Sequence, residues 1–270
     1  MTRPAALLAT PGRWLPLLAL LCLAAAPAPV RLAAHQALYR LTLVDGRGDV
    51  VGGTGLLGYR VTHACPGWRL QQRLEMTVTN TTGTQTRMVS DYATWESPDG
   101  TRLRFHMTQT TDGRIAAETA GSARLTRPGG PGEVNYTRPG GPHTLALPAG
   151  TLFPLAQTSA VIAAALAGKT FLAAPLFDGT SAHGVEPSSM VTLARLPPGP
   201  APYPALAGLP SVRVHLAFFG HNPEAILPEF ESTVHYWANG VAGTQRMDFG
   251  DFVMKATLIA FRPLADPCKR

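Results

Sequence analysis

Charge is scarce in this chain. Asp, Glu, Lys and Arg make up 15% of its 270 residues, which is low for a cytosolic enzyme of that length. No Lys/Arg run is present, so the electrostatic footprint of a nucleic-acid binder is missing. Cysteine is scarcer still, at three residues, with no Cys-x-x-Cys, no His-x-x-x-His and no His-Glu-x-x-His. That leaves no metal-ligand spacing, and the eight histidines read as satisfied or solvated side chains. No Gly-x-Ser-x-Gly elbow occurs, and no Gly-x-Gly-x-x-Gly follows a strand to cradle phosphates. The closest approach to a catalytic cluster is Asp178-Gly-Thr-Ser181-Ala-His183. A Ser and a His two apart in a loop do not make a triad, and Asp178-Gly179 reads as a turn. No catalytic residue, metal ligand or cofactor is therefore assigned, and the chain is read as a non-enzyme.

Long apolar runs are also missing, except near the start. Arg3 and Arg13 form a basic opening, Leu15 to Ala26 an apolar core, and small residues follow at Ala24, Ala26, Ala28, Ala33 and Ala34. This core is shorter than the roughly 20 residues of a membrane span. Residues 1–34 are read as a signal peptide, cleaved between about Ala26 and Ala34, and the mature chain as exported with no membrane span. Cys22 leaves with the signal, since Leu21 before it does not fit a lipid-attachment site. Arg3, Arg13 and Arg31 leave too, so 20 basic residues face 17 acidic ones and the mature charge is a mild +3. Two cysteines remain, Cys65 and Cys268, one near each end of the mature chain. In an oxidising compartment the simple reading is a disulfide between them, and the alternative is two unpaired thiols. Closing a loop of about 200 residues disfavours the unfolded state by roughly 5 kcal/mol in the chain-entropy model.

What the chain has in abundance is alternation. His35, Ala37, Tyr39, Leu41 and Leu43 open a first strand, and Gly53 to His63 gives a second. In the third, Trp68, Leu70, Leu74, Met76 and Val78 face one way, against Arg69, Gln71, Arg73, Glu75 and Thr77 on the wet side. Arg87 to Trp95 and Arg102 to Thr110 form a hairpin about Ser97-Pro98-Asp99-Gly100, and another turns at Asp112-Gly113 into Ile115 to Leu125. Residues 127–141, rich in Pro and Gly, read as exposed loop with a short strand at Glu133 to Tyr136, and the six-proline stretch 196–210 as a surface loop. Thr170 to Phe177 resumes the sheet, and three more strands run through Val212 to Phe218, Phe230 to Tyr236 and Phe252 to Ala260. Glu96 and the pair Glu229/Glu231 read as solvated strand-end charge, and Arg69, Arg73, Arg102 and Arg104 as the wet side of a sheet.

The period changes once, between Leu147 and Gly184. Thr151 is the expected N-cap, Pro154 fits the first turn, and Gly168 stops a helix whose stripe carries Leu155, Ser159, Ile162 and Leu166. So little charge on a helix calls for cover by a curved sheet. Residues 35–270 are read as one mainly β domain, a curled or broken barrel of about a dozen antiparallel strands with one principal α-helix packed against it.

His35-x-Ala37-x-Tyr39-x-Leu41, Gly55 to Tyr59, Cys65-Pro-Gly-Trp68, Trp95-Glu-Ser-x-Asp99-Gly100 and Leu103-x-Phe105 occur in order. Ala-Gly168-Lys, Leu176-Phe-Asp-Gly179, Asn239-Gly-Val, Asp248-Phe-Gly-Asp251-Phe and Leu264 to Cys268 follow. This ordered set resembles the EipB-like envelope-integrity family of alphaproteobacterial periplasmic proteins. The resemblance implies a spiral, broken β-barrel, a disulfide carried by Cys65 and Cys268, and a periplasmic role in envelope maintenance without known catalysis. It departs from the family pattern at the Pro/Gly-rich stretches 127–141 and 196–210. Two functions are expected from it. One is a scaffold or adaptor acting through an envelope protein partner. The other is a carrier or sensor of a lipid, acyl chain or lipopeptide, with Leu155, Ile162 and Leu166 as the apolar-ligand face.

Overall fold

The computed structural model describes residues 30–221, 224 and 226–268. The signal peptide read over 1–34 lies almost wholly outside these residues, as does Cys22. Eight strands precede the helix: β1 His35–Gly46, β2 Val50–His63, β3 Trp68–Asn80, β4 Gln85–Glu96, β5 Arg102–Thr111, β6 Arg114–Leu125, β7 Gly132–Arg138 and β8 His143–Leu147. After α1 (Pro154–Leu166) come β9 Phe171–Leu176, β10 Glu186–Leu196, β11 Ser211–Phe218, β12 Phe230–Trp237, β13 Ala242–Asp248 and β14 Phe252–Pro263.

All fourteen strands join one antiparallel sheet, in the order β8 back to β1, then β14 back to β9. Each strand pairs with its neighbours in sequence, and β1 pairs with β14 in the middle of the sheet. The free edges are thus β8 and β9, the strands on either side of the helix. The link between β8 and the helix meets β9 at a parallel bridge, where the Leu152 N–H donates to the Pro175 carbonyl (2.9 Å) and the Phe177 N–H to the Leu152 carbonyl (3.0 Å). A sheet of this length curls because its strands twist. The expected broken barrel is present, with fourteen strands rather than about a dozen.

Three strands escape the alternation pattern. β8 occupies residues read as the approach to the helix, and β13 has only Gly243, Met247 and Asp248 buried, with no period-two pattern. β10 carries Pro187, but this residue sits opposite Pro175 of edge strand β9, so both missing N–H groups fall in one place at the margin of the sheet. The passage 127–141 is also more ordered than expected, since β7 takes seven of its residues into the ladder. Gly53 to Gly58 has the spacing of a phosphate loop but lies inside β2, where a Cβ on Gly55 would collide with the Glu75 carbonyl oxygen of β3.

The helix lies on the inner face of β9 to β11. Val161, Ile162, Ala164 and Ala165 pack with Met190, Val212, Val214, Leu216 and Val234. It stops where expected: Gly168 adopts a left-handed conformation (φ 90°), with Gly168 N–H donating to Ala165 and Lys169 N–H to Ala164. Its start differs from expectation. Phe153, not Thr151, is the N-cap residue and offers no side-chain acceptor, while the Thr151 hydroxyl donates to the Pro148 carbonyl. The acceptor comes from β4 instead. Glu96, read as a solvated strand-end charge, is 2% exposed, and its carboxylate accepts the N–H groups of Leu155 and Ala156, both at 2.9 Å.

A second core fills the other half of the sheet, where Phe105, Tyr136, Phe153 and Phe177 meet edge to face. The six-proline stretch folds over the outer face of β12 to β14. There Leu206, Trp237 and Val241 make a small cluster with Tyr203, Leu209 and Phe261. Trp237 therefore points out of the barrel under this cover, not into it. On the wet face Arg73 pairs with Asp91, Arg87 with Glu75, and Arg104 lies 5.6 Å from the Trp95 ring. Cys65, in the β2–β3 corner, and Cys268, after β14, are disulfide-bonded with Cα atoms 5.8 Å apart. His63 faces Asp266 beside this bond at 2.6 Å, so the end of the described chain is tied to that corner twice. Among the described residues no helix is long and apolar enough to cross a membrane.

Candidate functional site

The barrel interior is not completely filled. Between the start of α1 and the inner faces of the sheet lies a cavity of about 570 Å³, the size of a small-molecule site. Register explains its lining. On the inner face Tyr39 aligns with Leu57, Leu74, Ser90 and Gln109 across β1 to β5, and one row along Tyr59 aligns with Gln72 and Tyr92. Phe218, Phe230 and Tyr236 enter from β11 and β12, Gln245 from β13, and Asp178, Thr180 and Glu186 from the β9–β10 corner. The helix contributes its first turns, through Pro154, Gln157 and Thr158.

The expected ligand face on the helix is placed differently. Leu155 is 4% exposed beneath the Glu96 cap, Ile162 is fully buried against β10 to β12, and Leu166 is 37% exposed at the far end. None of the three lines the cavity, and the helix shows the cavity its first turns, through Pro154, Gln157 and Thr158. Phe105 packs in the second core, while Phe218 and Phe230 reach the cavity.

The polar groups of the cavity fall into two sets. Tyr39 and Tyr92 use their hydroxyls structurally, donating to the Ala242 carbonyl (2.8 Å) and the Asp178 carbonyl (2.7 Å). Tyr59 and Tyr236 are part-buried and keep some of their surface open to the cavity, and their hydroxyls have no hydrogen-bond partner among the described residues. Burial pushes all four phenols up, Tyr236 to about 12, so they stay protonated and able to donate at neutral pH.

The carboxyls respond to the same environment. Burial raises Asp178, against hydrogen bonds from the Thr180 N–H and hydroxyl at 2.8 Å each. Burial also pushes Glu186 up to about 7, helped by the negative charges of Asp178 and Glu229 and opposed by a hydrogen bond from Ser181. Glu96, beside the helix start, likewise rises to about 7 because burial outweighs its two N–H donors. Among the described residues no Lys, Arg or His lines the cavity.

Two signals in the sequence pointed here without being used. Gln72 interrupts the apolar face of β3 in the inward register, between Leu70 and Leu74. Asp178 sits in a turn that the fold drives inward rather than out into solvent.

Comparison with known proteins places the fold and these residues in context. The chain is 28% identical over 245 residues to the cell envelope integrity protein EipB of Brucella abortus (strain 2308), covering 87% of this chain and 86% of that protein. The crystal structure of a β-barrel-like protein from Brucella abortus, of a domain of unknown function, superposes with a TM-score of 0.77. That match has 26% identity over 87% of this chain and 99% of the other. The EipB-like profile itself matches residues 26–265, and the chain belongs to the EipB-like family.

Proposed function

We propose that this protein supports cell-envelope integrity from the periplasm, without catalysis, by holding an amphipathic ligand in the interior cavity as a carrier or sensor. The cavity carries this reading. A scaffold needs only a filled barrel, whereas here about 570 Å³ is left open, lined by the part-buried Tyr59 and Tyr236. An envelope role follows from the name of the Brucella relative. Export by the N-terminal signal fits both.

The test is a cavity-filling substitution, Ser90→Phe, at the inner-face position between Leu74 and Gln109. In a strain lacking the wild-type chain, a folded Ser90→Phe protein should fail to restore resistance to detergent and to take up a fluorescent acyl probe. Full restoration by the filled protein would refute the reading.

The scaffold alternative rests on another surface. Phe171 (58% exposed) pairs across β9–β10 with Val191 on the outer face, beside the free β9 edge, and this is where a protein partner of the envelope would add. Phe171→Ser would abolish envelope resistance under this alternative and leave it unchanged under the ligand reading.

A further inference from the structure

The charge balance of the cavity narrows the ligand class, on the reading that the cavity holds a ligand at all. Two carboxyls line it, Asp178 and Glu186, and among the described residues no basic side chain does. The charges that act on Glu186 are those of Asp178 and Glu229, both negative. A buried carboxylate without a cation is costly, and proteins normally pair it or leave it protonated. Here the pair is kept, and the groups around it are aromatic. Tyr92 is bonded to the Asp178 carbonyl, and Phe218, Phe230 and Tyr236 line the same space. Aromatic faces next to carboxylates form the surroundings that attract an alkylated ammonium. The unpaired Tyr59 and Tyr236 hydroxyls and the Gln72 and Gln109 amides supply polar contacts that carry no charge of their own.

We propose that the cavity takes a cationic amphiphile, an apolar chain bearing an ammonium group, and that Asp178 and Glu186 supply the counter-charge for the ammonium. An anionic amphiphile would meet two carboxyls of its own sign with no cation to offset them. A membrane lipid with an amino headgroup and a diffusible alkylamine share the chemistry, so the assignment is of the ammonium on its chain.

The experiment is a calorimetric titration of the full-length mature protein with three twelve-carbon probes, each below its micelle-forming concentration. The probes are dodecyltrimethylammonium, dodecyl maltoside and dodecanoate. The cationic probe is expected to bind about ten-fold tighter than either of the others. Glu186→Gln and Asp178→Asn should each remove that preference for the cationic probe. The wild-type chain gives a second reading that needs no variant to fold. Glu186 faces Asp178, Glu229, Tyr136 and Ser181, and of these groups only the carboxyls change charge between acid and neutral pH. Affinity for the cationic probe should therefore rise as pH increases through about 7, while that for dodecyl maltoside stays flat. Equal binding of the neutral or anionic probe, or a flat pH profile for the cation, overturns the charge assignment and leaves the cavity reading standing. Absence of binding by all three probes overturns both. To separate the two sources, vesicles containing an aminolipid are compared with free dodecylamine. Extraction of lipid from the vesicles identifies the headgroup source, and uptake of the free amine alone identifies the diffusible one.

Discussion

The Glu96 carboxylate, at the end of β4, accepts the backbone N–H of Leu155, 59 residues further along the chain, at 2.9 Å. With the Ala156 N–H on its other oxygen, it serves as the cap that the helix lacks locally. Removing it leaves two N–H groups at the buried helix start without acceptors. Glu96→Ala should therefore lower stability by about 1–3 kcal/mol in urea denaturation. A change within a few tenths of a kcal/mol would show that the helix start finds another acceptor.

The same carboxyl sets a pH dependence. Its value in the folded protein is raised from 4.5 to about 7, so the folded state holds a proton that the unfolded state has released. The resulting stabilisation is fully present below about pH 4.5 and is lost as pH rises through about 7. The stability of wild type relative to Glu96→Gln should fall by up to about 3 kcal/mol between about pH 5 and about pH 8. Denaturation curves of both proteins at the two pH values check this, and a constant difference would contradict it.

The Cys65–Cys268 bond spans 203 residues and joins the β2–β3 corner to the end of the described chain. Cys65→Ser should cost about 2–5 kcal/mol and lower the melting temperature in oxidising buffer, with no further effect of added reductant. An unchanged melting temperature would mean that the β1–β14 ladder holds the first and last strands together without it.

The six-proline stretch is a structural cover as well as a loop. Leu206 within it is fully buried beside Trp237 and Val241. Leu206→Ala should cost about 2–5 kcal/mol, the range for a core leucine, where a surface loop position would cost less than about 0.5. Thermal melting of the variant distinguishes the two.

Much of the architecture was legible because it rests on period two. The faces of β1 and β3 follow directly from alternation, and the helix stop at Gly168 from its position after an Ala/Leu body. What stayed hidden depends on contacts distant in sequence. β10 and β13 have weak patterns and are held by their neighbours on both sides, so nothing local announces them. Glu96 reads as a surface acid until β4 is placed under the helix start. Leu155, Ile162 and Leu166 lie away from the cavity for a related reason. Helical periodicity identifies an apolar stripe, but the sheet takes up its middle at Ile162, and the cavity is left to Gln157, Thr158 and the tyrosines of the strands.

The central claim is that the interior cavity holds a ligand in the cell. Native mass spectrometry of the mature protein, released gently from its own envelope fraction and followed by organic extraction, tests it most directly. The account predicts one amphipathic molecule per chain, lost on extraction and regained on adding it back. A protein that is empty as isolated and takes up nothing from the same extract would contradict it.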